Sequence, residues 1–143
     1  MKKTFLIMTA AVCLMFTSSC KKDKEASRSE LLQGTWHVSA MGQDDNMNGT
    51  LEVSEYDPIP AGSSLTETFN ADHSGSATLV NSGVTTTSSF TWQLQSNDQQ
   101  LLVTTTASGT SSTTTSQISL LSSTQLMGYD ITSSPRTIIL MVK

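Results

Sequence analysis

From Leu31 onward, short runs of alternating apolar and polar residues are separated by turn-forming residues. In the run Leu31 to Ala40, Trp36, Val38 and Ala40 alternate with His37 and Ser39, the period of a half-buried strand. Gly34, just ahead, permits a close backbone approach or a bend at the strand start. Similar runs predict strands over Leu51 to Glu55, Leu65 to Phe69, Ser76 to Val80, Val84 to Gln95, Leu101 to Thr106, Thr113 to Leu121, Gln125 to Ile131 and Thr137 to Val142. Phe90, Trp92 and Leu94 share one face, and Ile118 and Leu120 share another. Between them lie a polar loop over Gly42 to Thr50, the breaker-rich Asp57-Pro58-Ile59-Pro60-Ala61-Gly62, and a hairpin turn over Asn70 to Gly75 in which Gly75 suits a positive φ. Shorter turns follow at Asn81-Ser82-Gly83, Ser96 to Gln100, Ala107 to Ser112, Ser122 to Thr124 and Ser133-Ser134-Pro135.

The pattern describes an all-β antiparallel up-and-down meander. Left open, such a sheet exposes two edges; closing it into a small barrel of about eight strands removes them. A barrel of that size is filled by side chains or holds one small ligand. The Thr runs at Thr85 to Thr87, Thr104 to Thr106 and Thr113 to Thr115 extend alternating segments, where a branched Cβ is favoured.

The residues before Leu31 follow a different logic. Met1-Lys2-Lys3 is a positive start, Phe5 to Phe16 is an apolar run too short to cross a bilayer, and Thr17-Ser18-Ser19 leads into Cys20. This resembles the signal and lipobox of a bacterial lipoprotein, with Thr17 where Leu is preferred. The resemblance implies a signal peptide over residues 1–19, acylation of Cys20, a flexible polar tether over residues 20–29 and a folded body over residues 30–143. Acyl chains hold a protein at a membrane through about 0.8 kcal/mol per buried CH₂. Removal of the prefix takes Cys13 with it, so Cys20 has no internal disulfide partner.

Four motifs carry a second resemblance. Leu32-Gln33-Gly34-Thr35-Trp36 is similar to the first-strand opening of lipocalin-like barrels. Thr68-Phe69-Asn70-Ala71-Asp72-His73-Ser74-Gly75 is similar to their Thr-Phe-Asn-x-Asp-Gly-x-Gly hairpin, with His73 at a position where Gly is usual. Phe90-Thr91-Trp92 with Leu101 to Thr104, and Ile118 to Met127, resemble later hairpins. Together they resemble the lipocalin-like domain lipoproteins of Gram-negative bacteria. That family implies a barrel at the cell envelope, lipid-anchored at the outer membrane, binding a small apolar or amphipathic ligand. It also implies a basic side chain packed on the first-strand Trp, for which Arg136 is the candidate.

Charge narrows the partners. The chain carries a formal net charge of −4, and from Glu30 onward only Arg136 and Lys143 oppose ten acidic residues. Such a body repels phosphate backbones, which argues against nucleic-acid binding.

Few residues offer catalytic chemistry. Asp72-His73-Ser74 holds the residue types of a triad, but neighbours within one turn do not converge on a substrate. Glu52, Glu55 and Glu67 are carboxylates with nothing to set their separation. Two histidines are poor support for a zinc site, and His37 alternates away from Trp36 toward solvent. A non-enzymatic protein without a cofactor is expected. One motif invites a metal: Asp44, Asn46, Asn48 and Glu55, with Gly49 among them, have the spelling of a calcium loop, although Asn, Asp and Gly equally favour a plain polar loop between strands.

The ligand-binding candidates are Trp36, Phe69, Phe90 and Trp92, which can line a cavity or fill a small core. A void lined by Trp36, Phe69 and Trp92 would mark a carrier. A filled barrel would mark a structural or adaptor module acting through its surface on an envelope protein partner.

Overall fold

The structure is a computed structural model that describes residues 25–107 and 109–143. The segment expected to be a signal peptide, Cys20 and the first part of the tether lie outside the described residues. A short helix, α1 (Arg28–Leu32), is followed by β1 (Gly34–Asp44), a 3₁₀ turn (Val53–Glu55), β2 (Tyr56–Asp57), β3 (Ser64–Phe69), β4 (Ser74–Asn81), β5 (Val84–Gln95), β6 (Gln100–Ala107), β7 (Thr110–Leu121), β8 (Gln125–Asp130) and β9 (Arg136–Val142).

Eight strands, β1 and β3 to β9, form an antiparallel meander, and β9 pairs back onto β1 from His37↔Val142 to Asp44↔Arg136. The sheet is thereby closed, and the ladder groups that an open meander would expose are paired. Strand β1 pairs with β3 only as far as His37; beyond that, Met41 and Gly42 pair with the two residues of β2.

Successive turns alternate between the two ends of the barrel. The β3–β4, β5–β6 and β7–β8 turns lie at one end, the floor, with the start of β1 and helix α1. The β4–β5 and β6–β7 hairpins and the β8–β9 connection lie at the other, the mouth. The floor is packed with Leu32, Trp36, Phe69, Phe90, Trp92, Leu101, Ile118, Leu126 and Met141. Toward the mouth, residues 84–89 and 110–114 are exposed on both alternating sets, so no described side chain is buried between these hairpins. Their outer faces are joined by hydroxyl pairs such as Thr104 with Thr113 and Thr106 with Ser111.

The structure corrects four expectations. The segment Leu51 to Glu55 is not a strand: its end forms the 3₁₀ turn, in which Glu55 Oε2 accepts from the Glu52 N–H, while Leu51 is buried and Val53 is 83% exposed. The neighbouring edge of β1 is taken by β2, so the run has no ladder to join. The polar tether does not extend to Ser29, because α1 begins at Arg28 behind a Ser27–Glu30 capping box. Gly75 is not needed for a positive φ, which His73 supplies at +66°. Gly75 is instead buried under the Phe90 ring, in space a Cβ would occupy. Ile118 is buried but Leu120 is 38% exposed, since an irregularity in the β7–β8 register falls between them and exchanges their faces.

A second apolar cluster lies outside the barrel. Ile139 and Met141 face inward, so Ile138 faces outward, yet it is fully buried. The loop between β1 and β2 covers it. Gly42, in register with Ile138, has the Glu55 carbonyl oxygen and the Leu51 side chain where a Cβ would project.

Candidate functional site

Trp36, Phe69, Phe90 and Trp92 do converge, at the floor. Phe69 meets Phe90 at 5.4 Å between ring centroids and meets Trp92 edge-on at 5.9 Å. Trp92 Nε1–H donates to the carbonyls of Asn70 and Ser74, locking the β3–β4 turn to the floor, and His73 stacks on the same indole from outside. Trp36 is fully buried, and its Nε1–H donates to the Leu32 carbonyl at 2.7 Å, pinning the end of α1 across the barrel. Arg28 Nε–H, donating to the Asp98 carbonyl, ties the start of α1 to the β5–β6 turn. The basic residue over Trp36 is Lys143, not Arg136. Its Nζ lies 4.5 Å from the indole centroid and donates to the Leu31 carbonyl at 2.7 Å. Gly34, at φ +117°, leaves room for the Lys143 stem. Arg136, at the mouth end of β9, covers Tyr129.

The four rings pack into the core, and none of them lines the main cavity. A cavity of about 410 Å³ occupies the barrel between floor and mouth. Leu65 from β3, Val103 from β6, Ile139 and Met141 from β9, and the upper sides of Leu101, Ile118 and Leu126 give it apolar walls. A second, mostly apolar space of about 240 Å³ adjoins it, sharing Leu65 and Ile139 and reaching Val38, Met41, Leu79 and the Ile59-Pro60 connection.

Polar groups also face the main cavity, Tyr129 among them. Thr114, Ser116 and Thr137 contribute hydroxyls, and Glu67 and Asp130 contribute carboxyls. Glu67 lies between Leu65 and Phe69 on the inward face of β3, in register with Trp36 and Ala77. Burial pushes its carboxyl above the usual glutamate range. Asp130 ends β8 toward the mouth, and hydrogen bonds from the Thr132 hydroxyl and N–H hold it below the usual aspartate range. The alternation Leu65-Thr66-Glu67-Thr68-Phe69 already puts Glu67 on the face of the two apolar residues, a signal that its polarity obscured.

The calcium-loop residues turn their oxygens onto backbone N–H groups of their own loop. Asp44 is fully buried, and its two oxygens accept from the N–H groups of Asn48 and Gly49, each at 2.9 Å. Asn46 Oδ1 accepts from the Asn48 N–H, Asn48 Oδ1 from the Thr50 N–H, and Glu55 from the N–H groups of Asp45 and Glu52. These side chains organise their own loop. Among the described residues no group of three or more His, Cys, Asp or Glu is placed to hold a metal. Glu52 and Glu55 sit on the outer loop, away from the inward-facing Glu67. Asp72 accepts from the Ser74 N–H and hydroxyl, as a turn aspartate does, while His73 faces Trp92.

The sequence pattern of the lipocalin-like domain matches residues 32–127, two thirds of the chain. The chain belongs to the lipocalin-like domain family. Two solved structures share its fold. A lipocalin-like protein from Bacteroides uniformis superposes with a TM-score of 0.55 at 13% identity, over 79% of this chain and 98% of that one. Insecticyanin from the tobacco hornworm Manduca sexta superposes with a TM-score of 0.59 at 12% identity, over 79% of this chain and 61% of that one. At such identities the likeness is one of fold. No curated protein sequence matches the chain. The lipocalin-like barrel is thus an eight-stranded closed meander with a filled floor and a cavity toward the mouth, compatible with a small ligand.

Proposed function

We propose that this lipocalin-like protein is a non-enzymatic binding protein of the cell envelope, whose barrel takes up one small apolar or amphipathic molecule. The observation that carries the reading is the cavity of about 410 Å³ with walls of Leu65, Val103, Ile118, Ile139 and Met141. Apolar walls with a few polar groups are what a small-molecule site requires. Open hairpins at the mouth supply an entry, and the packed floor keeps the cavity blind at its other end.

Anchoring at Cys20, with an outer-membrane location, rests on the order of charged start, apolar run and small residues before that cysteine. Metabolic labelling with a tagged fatty acid should mark the wild type and not Cys20→Ala; equal labelling of both would sink the anchor.

Binding is tested by the fluorescence of a neutral apolar probe, N-phenyl-1-naphthylamine, with native mass spectrometry of the purified protein for co-purifying small molecules. Val103→Trp should fill the cavity and abolish the probe signal while the protein stays folded by circular dichroism. A wild type that neither binds the probe nor carries any adduct would overturn the binding reading.

A further inference from the structure

We infer that the cavity selects molecules pairing an apolar body with a positively charged group, and that Glu67 is the residue that sets this preference. The inference rests on the small-molecule reading above and deepens it by naming the ligand class.

The argument starts from what faces the cavity. Its lining includes two carboxyls, Glu67 and Asp130, and no lysine, arginine or histidine. The two cations nearest these elements are committed elsewhere: Lys143 to the Trp36 ring and the Leu31 carbonyl, Arg136 to the Tyr129 ring and the Met47 carbonyl. Tyr129, also at the cavity, carries Arg136 on its ring and adds no positive charge inside.

Glu67 is unusual among these groups. It stands on the inward face of β3 next to the aromatic floor, and none of the hydrogen bonds or ion pairs within the described residues engages its carboxyl. The residue is half-buried and its oxygens are not sealed in protein, so the carboxyl is open to a group in the cavity. Burial also raises its proton affinity, in keeping with a group lacking a counter-ion. A ligand ammonium or guanidinium placed against Glu67 would supply that counter-ion. Its alkyl or aromatic body would lie against Leu65, Val103 and Ile139.

The same geometry discriminates against anionic amphiphiles. A fatty-acid carboxylate entering headgroup-first would meet Glu67 in a low-dielectric space. Entering tail-first, it would leave its charge near Asp130, which stays ionised through its bonds from Thr132. No fixed cation lines the cavity, and the one at the mouth, Arg136, is engaged by the Tyr129 ring and the Met47 carbonyl. A neutral alcohol avoids both penalties but gains no ion pair, so it falls between the two charged classes.

The test is displacement of N-phenyl-1-naphthylamine by three ligands with the same alkyl chain, decylamine, decanol and decanoate, at neutral pH. Wild type should bind decylammonium at least about tenfold more tightly than decanoate, a difference of about 1.4 kcal/mol, with decanol between. Glu67→Gln keeps the shape and removes the charge. It should bring the amine and the carboxylate within about threefold of each other. Equal wild-type affinity for amine and carboxylate, or an unchanged ratio in Glu67→Gln, would overturn the inference and leave the binding reading in place if decanol still binds. If neither the probe nor decanol binds the wild type, the binding reading fails and this inference fails with it.

Discussion

Replacing Trp36 with alanine tests the register of β1 and the role of the floor together. The indole is fully buried and is one of the largest side chains in the interior. Truncating a buried Trp or Phe to Ala typically costs about 3–5 kcal/mol, through lost transfer energy and the cavity left behind. Here two further contacts go with it. The Leu32 carbonyl loses its indole donor, a net contribution of about 1 kcal/mol for an ordinary hydrogen bond, and Lys143 loses the ring beneath its ammonium. Against a typical domain stability of about 5–15 kcal/mol, the loss is a large share of the total. With a urea m-value of about 1–3 kcal/mol/M, the midpoint should fall by at least about 1 M. Trp36→Phe retains most of the bulk without the N–H and should fall between wild type and Trp36→Ala. His37 is exposed, and its ring pairs with the Thr66 hydroxyl on the outer face, so His37→Ala should stay within about 0.5 kcal/mol of wild type. Equilibrium urea unfolding by circular dichroism measures all three. A slip of one residue would exchange the two positions, so a mild Trp36→Ala beside a severe His37→Ala would refute the register and the floor built on it.

Three other outcomes follow from particular contacts. Gly75→Ala places a methyl against the Phe90 ring and the Thr68 carbonyl, and overpacking of this kind costs about 1–3 kcal/mol, read as a lower urea midpoint. Glu67 binds its proton more tightly folded than unfolded, so its stabilising contribution is complete below the unfolded pKa and is lost as pH rises through the higher folded value. Glu67→Gln should therefore raise the melting temperature relative to wild type at pH 7 but not at pH 4, and the same difference at both would refute it. Asp44→Ala leaves the buried Gly49 N–H without its acceptor, at about 1–3 kcal/mol read as a lower urea midpoint, while the Asn48 N–H keeps Asn46 Oδ1. Because the loop oxygens are engaged internally, millimolar Ca²⁺ should leave the wild-type melting temperature unchanged, and a rise would reinstate the calcium loop.

The alternation around Trp36, Phe69 and Phe90 and the turn residues between strands were enough to predict a closed meander, because strand period and turn chemistry act over a few residues. The inward aspect of Trp36 and the outward aspect of His37 followed from the same period. What local pattern could not decide was how the closed barrel divides its interior. The four aromatics were legible as a set, but whether they line a void or fill one depends on how strands distant in sequence are staggered around the barrel. That stagger stacks them at the floor beneath α1 and leaves Leu65, Val103 and Ile139 around open space. Lys143 rather than Arg136 covers Trp36 because pairing of β9 with β1 brings the chain's last residue beside Gly34, a juxtaposition that the sequence separation hides. Leu51 to Glu55 alternates like a strand, yet a strand needs a free edge, and only the tertiary arrangement shows that β2 has taken it. Gly75 is glycine for the space Phe90 needs from across the sheet, while the positive φ expected of it falls to His73. Composition showed the body to be acidic; only closure of the barrel brought Glu67 and Asp130 to one cavity whose lining has no basic residue.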